Sequence, residues 1–161
     1  MKAGNISQIV WKRSVRKQLH TVREEVLFPP SVEETCTAVR ISGGNLAVYA
    51  QAEASGDSVN IGIYAAARAL NDLAVRGAVP VAVSAQILLT PRAEEKELKA
   101  MTGCLESICG EAGVQLACVR AEVNPAVMRT VIFVTAQGEA VRDSLIRPAS
   151  VSYTHLTLPT T

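Results

Sequence analysis

The sequence predicts an α/β fold of the α+β type, in which a single sheet of about five strands carries its helices on one face. Three observations lead to this prediction. The chain has 161 residues, enough for one domain with a sizeable core. Segments with alternating apolar residues are interleaved with two segments of helical periodicity. Hydrophobic residues make up 48% of the chain but aromatic residues only 4%, so we expect a core of Val, Ile, Leu and Ala.

The rest of the chain is organised around an Ala-rich segment over residues 60–80, which predicts a helix. Gly77 can adopt the left-handed conformation that ends a helix, and Pro80 cannot continue one. The many alanines would let this helix lie close to a sheet. Its predicted buried stripe consists of Ile61, Tyr64, Leu70, Leu73 and Ala74.

Asn71 and Asp72 lie together in this helix, although both are mediocre helix formers. One interpretation is a polar outer face of the helix. The other is an amide and a carboxylate that point at a metal-bound phosphate. The helix alone does not decide between the two interpretations.

The elements are predicted in the order helix, then β-β-α-β-α-β-β. Residues 7–19 predict a basic amphipathic helix, whose charges form either a solvated face or a place for phosphate or a partner. Residues 42–45, Ser-Gly-Gly-Asn, predict a tight hairpin turn, and residues 51–60 a polar loop with Asp57, Ser58 or Asn60 as helix caps. Strands are predicted over residues 35–41, 46–51, 81–89, 114–123 and 130–136, and a second long helix over residues 93–113.

The strand over residues 81–89 is apolar on both of its faces, since Ala82 and Leu88 alternate with the inward-facing residues. A sheet with helices on one face only would then leave apolar surface uncovered. We therefore expect a homodimer that forms through the sheet.

Composition excludes several classes of protein. The net charge of +1 and the scarcity of aromatic residues argue against nucleic-acid binding. No run of about 18 apolar residues is present, so no membrane span is expected. The four cysteines Cys36, Cys104, Cys109 and Cys118 include no C-x-x-C pair, and His20 is the one histidine outside the extreme C-terminus, which argues against zinc. Four buried thiols in the reducing cytoplasm are the first interpretation, and a reactive thiol at Cys36 is the alternative.

Residues 151–161 carry no charged side chain and resemble the in-frame translation of a transposon-end adapter used in sequencing libraries. We therefore treat this segment, with its His155, as a non-native tail. We expect the domain itself to span residues 1–145. We also expect the natural protein to continue past Ser150 into a C-terminal domain.

No Walker-type or Rossmann-type glycine motif occurs, and one histidine cannot supply a Ser/His/Asp set. Other residues carry a resemblance over about residues 2–140. They resemble the ATP-binding N-terminal domain of the aminoimidazole ribonucleotide (AIR) synthetase superfamily, in particular its AIR synthase-related and hydrogenase-maturation (carbamoyl dehydratase) branches. The matching segments are Asn60-Ile61-Gly62, Asn71-Asp72-Leu73-Ala74, Gly77-Ala78 and Pro80.

This resemblance implies that two N-terminal domains pair their sheets into a barrel and that a second domain follows in the chain. It also implies ATP-dependent activation of an amide or carbonyl oxygen of a small-molecule substrate. The oxygen is phosphorylated and then displaced by a nitrogen nucleophile or eliminated. Carboxylates and an Asn of the first domain hold Mg²⁺ on the phosphates.

Residue by residue, the match is incomplete. Asn71 and Asp72 match the family's Asn-Asp pair. A second motif of the family is of the type G-V-G-E-D-C-A-A, and it is matched by Val32, Glu34, Cys36 and Ala38. Thr35 replaces the Asp of this motif, and Glu33 replaces its second Gly. Ala52-Glu53 stands for a Thr-Asp pair, and residues 118–122 keep only Glu122 of a G-G-H-T-E element, with Arg120 in place of its His.

The resemblance therefore implies nucleotide-binding roles for Asn71, Asp72, Glu53 and Asn60, and magnesium ligation by Asp72, Glu53 and Glu122. No residue is assigned to catalysis. The substitutions at Thr35, Glu53 and Arg120 predict weakened binding of ATP and Mg²⁺.

Three functions stay open. The full-length protein is an ATP-dependent ligase or dehydratase, or a non-catalytic homologue (a pseudoenzyme) that keeps the fold and the dimer, or an unrelated small α/β binding module. As an AIR synthetase-like N-terminal domain, the 161-residue chain alone is expected to be inactive as an enzyme, because the family site needs the second domain.

Overall fold

The computed structural model describes residues 6–28, 30–31, 34–141 and 145–146. Val32 and Glu33 of the motif, and the predicted tail over residues 151–161, lie outside the described residues. Three α-helices are present, α1 Gln8–Ser14, α2 Ile61–Val75 and α3 Glu95–Glu111. The five strands are β1 Cys36–Arg40, β2 Asn45–Gly56, β3 Val79–Leu89, β4 Gln115–Val123 and β5 Thr130–Val141.

The strands form one sheet in the order β1-β2-β5-β3-β4. β5, the last strand in the chain, lies in the middle between β2 and β3 and is antiparallel to both. β3 and β4 are parallel, as expected for strands joined by a helix. The predicted order of elements and the predicted fold class are confirmed.

The core lies between the sheet and the helices α2 and α3. Alternate residues of β2, namely Leu46, Val48, Ala50 and Ala52, are buried toward the helices. The two helices approach closely at Gly62, where an added Cβ would lie 2.8 Å from Leu105 Cγ. Small residues on α2 thus allow the close packing that the alanine content predicts.

The face of the sheet that points away from α2 and α3, called the open face below, is polar along its centre. Gln51 Nε2 donates to Thr135 Oγ1 at 3.3 Å, and Gln137 Nε2 donates to Ser84 Oγ at 3.5 Å. Phe133, also on this face, is 46% exposed. The open face is therefore mixed, and less apolar than the sequence of β3 suggests.

The polar loop predicted over residues 51–60 is wrong in its first half. β2 continues to Gly56, because Gln51 to Gly56 pair with Thr135 to Thr130 of β5. Pairing with a central strand outweighs the loop-like composition of this segment. The strand β5 is likewise longer than predicted and ends at Val141.

The stripe predicted for α2 is correct in part. Ile61, Leu70 and Leu73 are buried, but Tyr64 is 64% exposed and Ala74 is exposed as well. The buried face of α2 is completed instead by smaller side chains, Ala65, Ala66 and Ala69.

The N-terminal helix and the cysteines also differ from prediction. α1 ends at Ser14 and buries no residue, and Ile9 is 69% exposed, so its predicted stripe does not pack on the described domain. Cys36 and Cys109 are buried, whereas Cys104 is half-buried and Cys118 exposed. The prediction of four buried thiols is therefore wrong for two of them. Among the described residues, no helix is long and apolar enough to cross a bilayer.

Candidate functional site

The C-terminal half of α2 lies against the first residue of β1. Cys36 Sγ donates a hydrogen bond to the backbone oxygen of Asp72 at 3.3 Å. Leu73 is fully buried and fixes the rotation of the helix, which leaves Asp72 half-buried and Asn71 exposed. Gly77, with a φ of 77°, then ends the helix as predicted.

A buried ion pair borders this contact. Arg76 Nη2 binds Glu34 Oε1, with side chains only 9% and 12% exposed. The same carboxylate oxygen accepts a hydrogen bond from the backbone nitrogen of Cys36 at 3.3 Å. The Arg76 guanidinium lies 5.7 Å from the centre of the Phe28 ring. Glu34, the acidic residue that the family motif retains, is therefore engaged in holding the start of β1.

Cys36 is not poised as a nucleophile. Burial raises the pKa of the Cys36 thiol, and the nearby Asp72 carboxylate raises this pKa further, although the Thr35 hydroxyl opposes the shift. A thiol with a raised pKa stays protonated and unreactive near neutral pH. The alternative of a reactive thiol at Cys36 is therefore disfavoured.

A cleft of about 450 Å³ opens on the open face at the start of β1. Its lining combines the aromatic residue Tyr49 of β2 with polar residues such as Thr35 and Gln51. This mixture suits a flat ring with polar substituents. The lining residues are Val26, Phe28, Pro30, Glu34, Thr35, Cys36, Thr37, Tyr49, Gln51 and Thr135.

Glu53 lies beyond the first residue of β1, where the outer edge of β2 is not paired with β1. Arg68 of α2 covers this edge. Its Nη1 donates to the backbone oxygen of Glu53 at 3.2 Å and lies 4.0 Å from the Glu53 carboxylate. Arg68 precedes Asp72 by one helical turn, so Glu53, Arg68 and Asp72 lie on one flank of the domain.

The other two predicted site residues lie elsewhere. Asn60 is at the N-terminal end of α2, about 16 Å along the helix axis from Asn71, and its Oδ1 accepts a bond from Cys104 Sγ at 3.6 Å. Glu122 is on β4, three strands from β2, or about 14 Å. Within the described part of the chain, no three acidic, cysteine or histidine side chains are close enough to hold one metal ion.

A larger groove of about 570 Å³ lies at the carboxyl ends of β3 and β4 and contains none of the predicted site residues. Arg92 and Arg129 line it together with Asp57 and Glu97. Arg129 Nε lies 3.8 Å from Asp57 Oδ2, so acidic groups balance part of the positive charge. This groove does not share residues with the cleft at β1.

Sequence reasoning missed two charged residues near Asp72, Arg68 on α2 and Arg76 at its C-terminal end. Each is four residues from Asp72 along the chain, a spacing that places side chains on the same face of a helix. This spacing was a usable signal for a charged cluster around Asp72. The burial of Arg76 was not visible in the sequence, because its partner Glu34 lies 42 residues away.

Comparison with known proteins decides the family. Residues 32–140 match the family model described as AIR synthase related protein, N-terminal domain. The chain belongs to this family. The match begins just before β1 and ends one residue before the end of β5, so it covers all but the last residue of the sheet, together with α2 and α3. No curated protein sequence matches the chain.

Solved structures with the same fold agree. PurLQS from Thermotoga maritima aligns with a TM-score of 0.68 at 18% identity, over 85% of this chain and 25% of that one. AaThiL complexed with AMPPCP and TMP aligns with a TM-score of 0.61 at 12% identity, over 70% of this chain and 37% of that one. Escherichia coli HypE, a hydrogenase maturation protein, aligns with a TM-score of 0.51 at 24% identity, over 56% and 31%. The AIR synthase-related chain thus spans between a quarter and about two fifths of the length of these proteins.

Proposed function

We propose that this chain is the nucleotide-binding domain of an AIR synthase-related protein that uses ATP to activate an amide or carbonyl oxygen of a small molecule. Membership of the family supports the proposal, and so does the AMPPCP bound by the similarly folded AaThiL. The observation that carries it is the contact between Asp72 and the start of β1 beside an open cleft. The nucleotide's ring occupies the cleft near Tyr49, and its phosphates face the flank that carries Asn71 and Asp72.

The described residues can hold a metal ion only if the phosphates of a bound nucleotide supply some of its ligands. Mg²⁺ in phosphate sites is commonly held by one or two carboxylates together with phosphate oxygens and water. Asp72 and Glu53 lie on the same flank and can supply such a pair, whereas Glu122 lies three strands from Glu53 within one chain. When bound, the ion would neutralise charge on the phosphates. Arg68, one helical turn before Asp72, donates a hydrogen bond to the backbone oxygen of Glu53.

A nucleotide-binding measurement tests this proposal. Asp72→Asn removes the carboxylate but keeps the shape of the side chain, so we expect binding of AMPPCP with Mg²⁺ to weaken at least about tenfold in isothermal calorimetry. Asp57→Asn, the same change at an exposed site in the other groove, is the matched control and should bind like wild type. If the Asp72→Asn variant bound AMPPCP as tightly as wild type, the assignment of Asp72 to the nucleotide site would be wrong.

The second candidate is a non-catalytic homologue that keeps the fold. Two observations favour it, the pairing of Glu34 with Arg76 and the absence, in the described part, of three converging acidic groups. A folded wild-type chain that binds no AMPPCP at millimolar concentration would favour this candidate. In both cases we propose that the 161-residue chain turns over no ATP by itself, because the rest of the family's site is contributed by a second domain.

We also propose that the chain self-associates through its sheet. The family resemblance and the exposed Phe133 on the open face support this proposal. Sedimentation at micromolar concentration is the direct measurement, and a monomer there would contradict it.

A further inference from the structure

Arg68 is an exposed cation on the flank that carries Glu53 and Asp72. Its side chain is 63% exposed. The other arginine near Asp72, Arg76, is only 9% exposed and is paired with Glu34. The charge of Arg76 is therefore already compensated inside the protein. Of the two arginines, Arg68 is the one whose guanidinium a ligand can reach from solvent.

The guanidinium of Arg68 is held at the edge of β2. Its Nη1 donates to the backbone oxygen of Glu53 at 3.2 Å, at a part of this edge that β1 does not cover. A guanidinium carries five N–H donors in a planar fork. Among the described residues, Arg68 makes this one hydrogen bond, so most of its donors are left for a ligand.

The ion pair between Arg68 and Glu53 is loose. The Arg68 Nη1 atom lies 4.0 Å from Glu53 Oε1, and the Glu53 side chain is 64% exposed. An exposed pair of this kind contributes little to stability, because water screens the two charges. A phosphate group carries more charge than a carboxylate and can accept two parallel N–H bonds from a guanidinium. A phosphate can therefore displace the Glu53 carboxylate while the bond to the backbone oxygen stays in place.

Arg68 lies near both parts of the proposed nucleotide site. The residue whose backbone it binds, Glu53, is two residues along β2 from Gln51 in the lining of the cleft, or about 7 Å. On α2, Asp72 follows Arg68 by four residues, a rise of about 6 Å along the helix axis. A nucleotide with its ring in the cleft and its phosphates near Asp72 therefore has phosphate oxygens within reach of Arg68.

The acidic groups of the flank call for a cation beside the phosphates. Without a bound metal ion, Asp72 and Glu53 repel a phosphate chain. Thr35, at the start of β1, carries no charge, and among the residues that the structure describes no three acidic, cysteine or histidine side chains converge on one metal position. The chain thus offers a metal ion few ligands of its own. A fixed positive side chain can supply part of the missing neutralisation.

We infer that Arg68 binds the phosphates of the nucleotide directly and supplies part of the positive charge that a metal ion otherwise provides. This inference rests on the nucleotide site proposed above and names the residue that sets its dependence on metal. AMPPCP should accordingly still bind when Mg²⁺ is removed. The contribution of Arg68 should be largest in that condition, because no metal ion then neutralises the phosphates.

Isothermal calorimetry with AMPPCP, once in EDTA and once in excess Mg²⁺, tests this role. Arg68→Gln removes the positive charge and keeps a polar side chain. We expect this variant to bind at least about tenfold more weakly than wild type in EDTA, but at most about threefold more weakly with Mg²⁺. Arg92→Gln, the same change at an exposed arginine in the larger groove, is the matched control and should bind like wild type in both conditions.

The other outcomes overturn the role of Arg68. If Arg68 only holds the edge of β2 in place, Arg68→Gln should weaken binding by the same factor in EDTA and in Mg²⁺, and that result would exclude the phosphate contact. Unchanged affinity of Arg68→Gln in EDTA, or a wild type that binds AMPPCP with Mg²⁺ but not in EDTA, would exclude it as well. In these cases the nucleotide site itself stands.

A wild type that binds AMPPCP in neither condition would overturn the nucleotide site and the role of Arg68 together. Circular dichroism of Arg68→Gln verifies that its fold is intact, so a loss of binding in EDTA is not a loss of structure.

Discussion

Arg76 connects three parts of the chain that are distant in sequence. Its guanidinium binds Glu34 and lies over the ring of Phe28, and its Nη1 donates to the backbone oxygen of Ile146 at 3.3 Å. The backbone nitrogen of Ile146 donates to Arg76 O at 3.0 Å. A buried charge with this many partners stabilises the fold only as long as all of them are present, because the cost of desolvation is otherwise uncompensated.

Arg76→Met should accordingly destabilise the protein by about 3 kcal/mol, since it leaves the Glu34 carboxylate buried without its partner. Urea denaturation followed by circular dichroism measures this loss. The double variant Glu34→Gln/Arg76→Met should recover a large part of it. Arg23→Met, which breaks an exposed pair with Glu25, is the control and should leave the midpoint unchanged. An Arg76→Met variant as stable as wild type would show that the pair does not hold β1.

The chemistry of single residues could be predicted from the sequence only in part. Asn71 and Asp72 stand out because two poor helix formers occur together in an Ala-rich helix. The role of Glu34 could not be predicted, because a motif match does not reveal that its carboxylate forms an ion pair with Arg76. The exposure of Cys118 follows from the position of β4 at the edge of the sheet, which depends on tertiary topology.

At the scale of elements, the packing of α2 on α3 depends on the absence of a side chain at Gly62. The buried face of α2 is made mostly of alanine, so the helix lies close to both the sheet and α3. Leu105, which is fully buried, fills the space at Gly62. No such constraint applies at Gly103 of α3, where an added Cβ would meet nothing within 4 Å.

Gly62→Ala should therefore destabilise the protein by about 1–3 kcal/mol, because the new methyl group overlaps Leu105 in a packed core. Gly103→Ala, the same change in the neighbouring helix, should stabilise it by about 0.5–1 kcal/mol through helix propensity. Thermal or urea denaturation measures both values. A stabilising effect of Gly62→Ala would contradict the close approach of the two helices.

Strong periodicity predicted the order and type of all the elements, and the sheet strands appear where alternation is clear. The boundaries of β2 could not be predicted in this way. Its last residues, from Gln51 to Gly56, have a loop-like composition and are held in the sheet by β5, a strand that comes more than 70 residues later in the chain. The placement of β5 in the centre of the sheet is likewise a long-range property.

At the scale of the whole molecule, the two proposed functions use different parts of one domain. The nucleotide site uses the start of β1 and the flank of α2, whereas self-association is proposed through the sheet, where Phe133 of the central strand β5 is exposed on the open face. Asp72 lies on α2, which packs on the opposite face of the sheet. Asp72→Asn therefore tests nucleotide binding without altering Phe133, and either proposal can fail without the other.

The position at which a nucleotide binds is measured directly by an amide ¹H–¹⁵N NMR titration of the wild-type chain with AMPPCP and Mg²⁺. We expect saturable shifts at Cys36, Asn71 and Asp72, while Arg92 and Arg129 in the larger groove stay unchanged. Shifts confined to Arg92 and Arg129, or no shifts at millimolar AMPPCP, would contradict the proposed site.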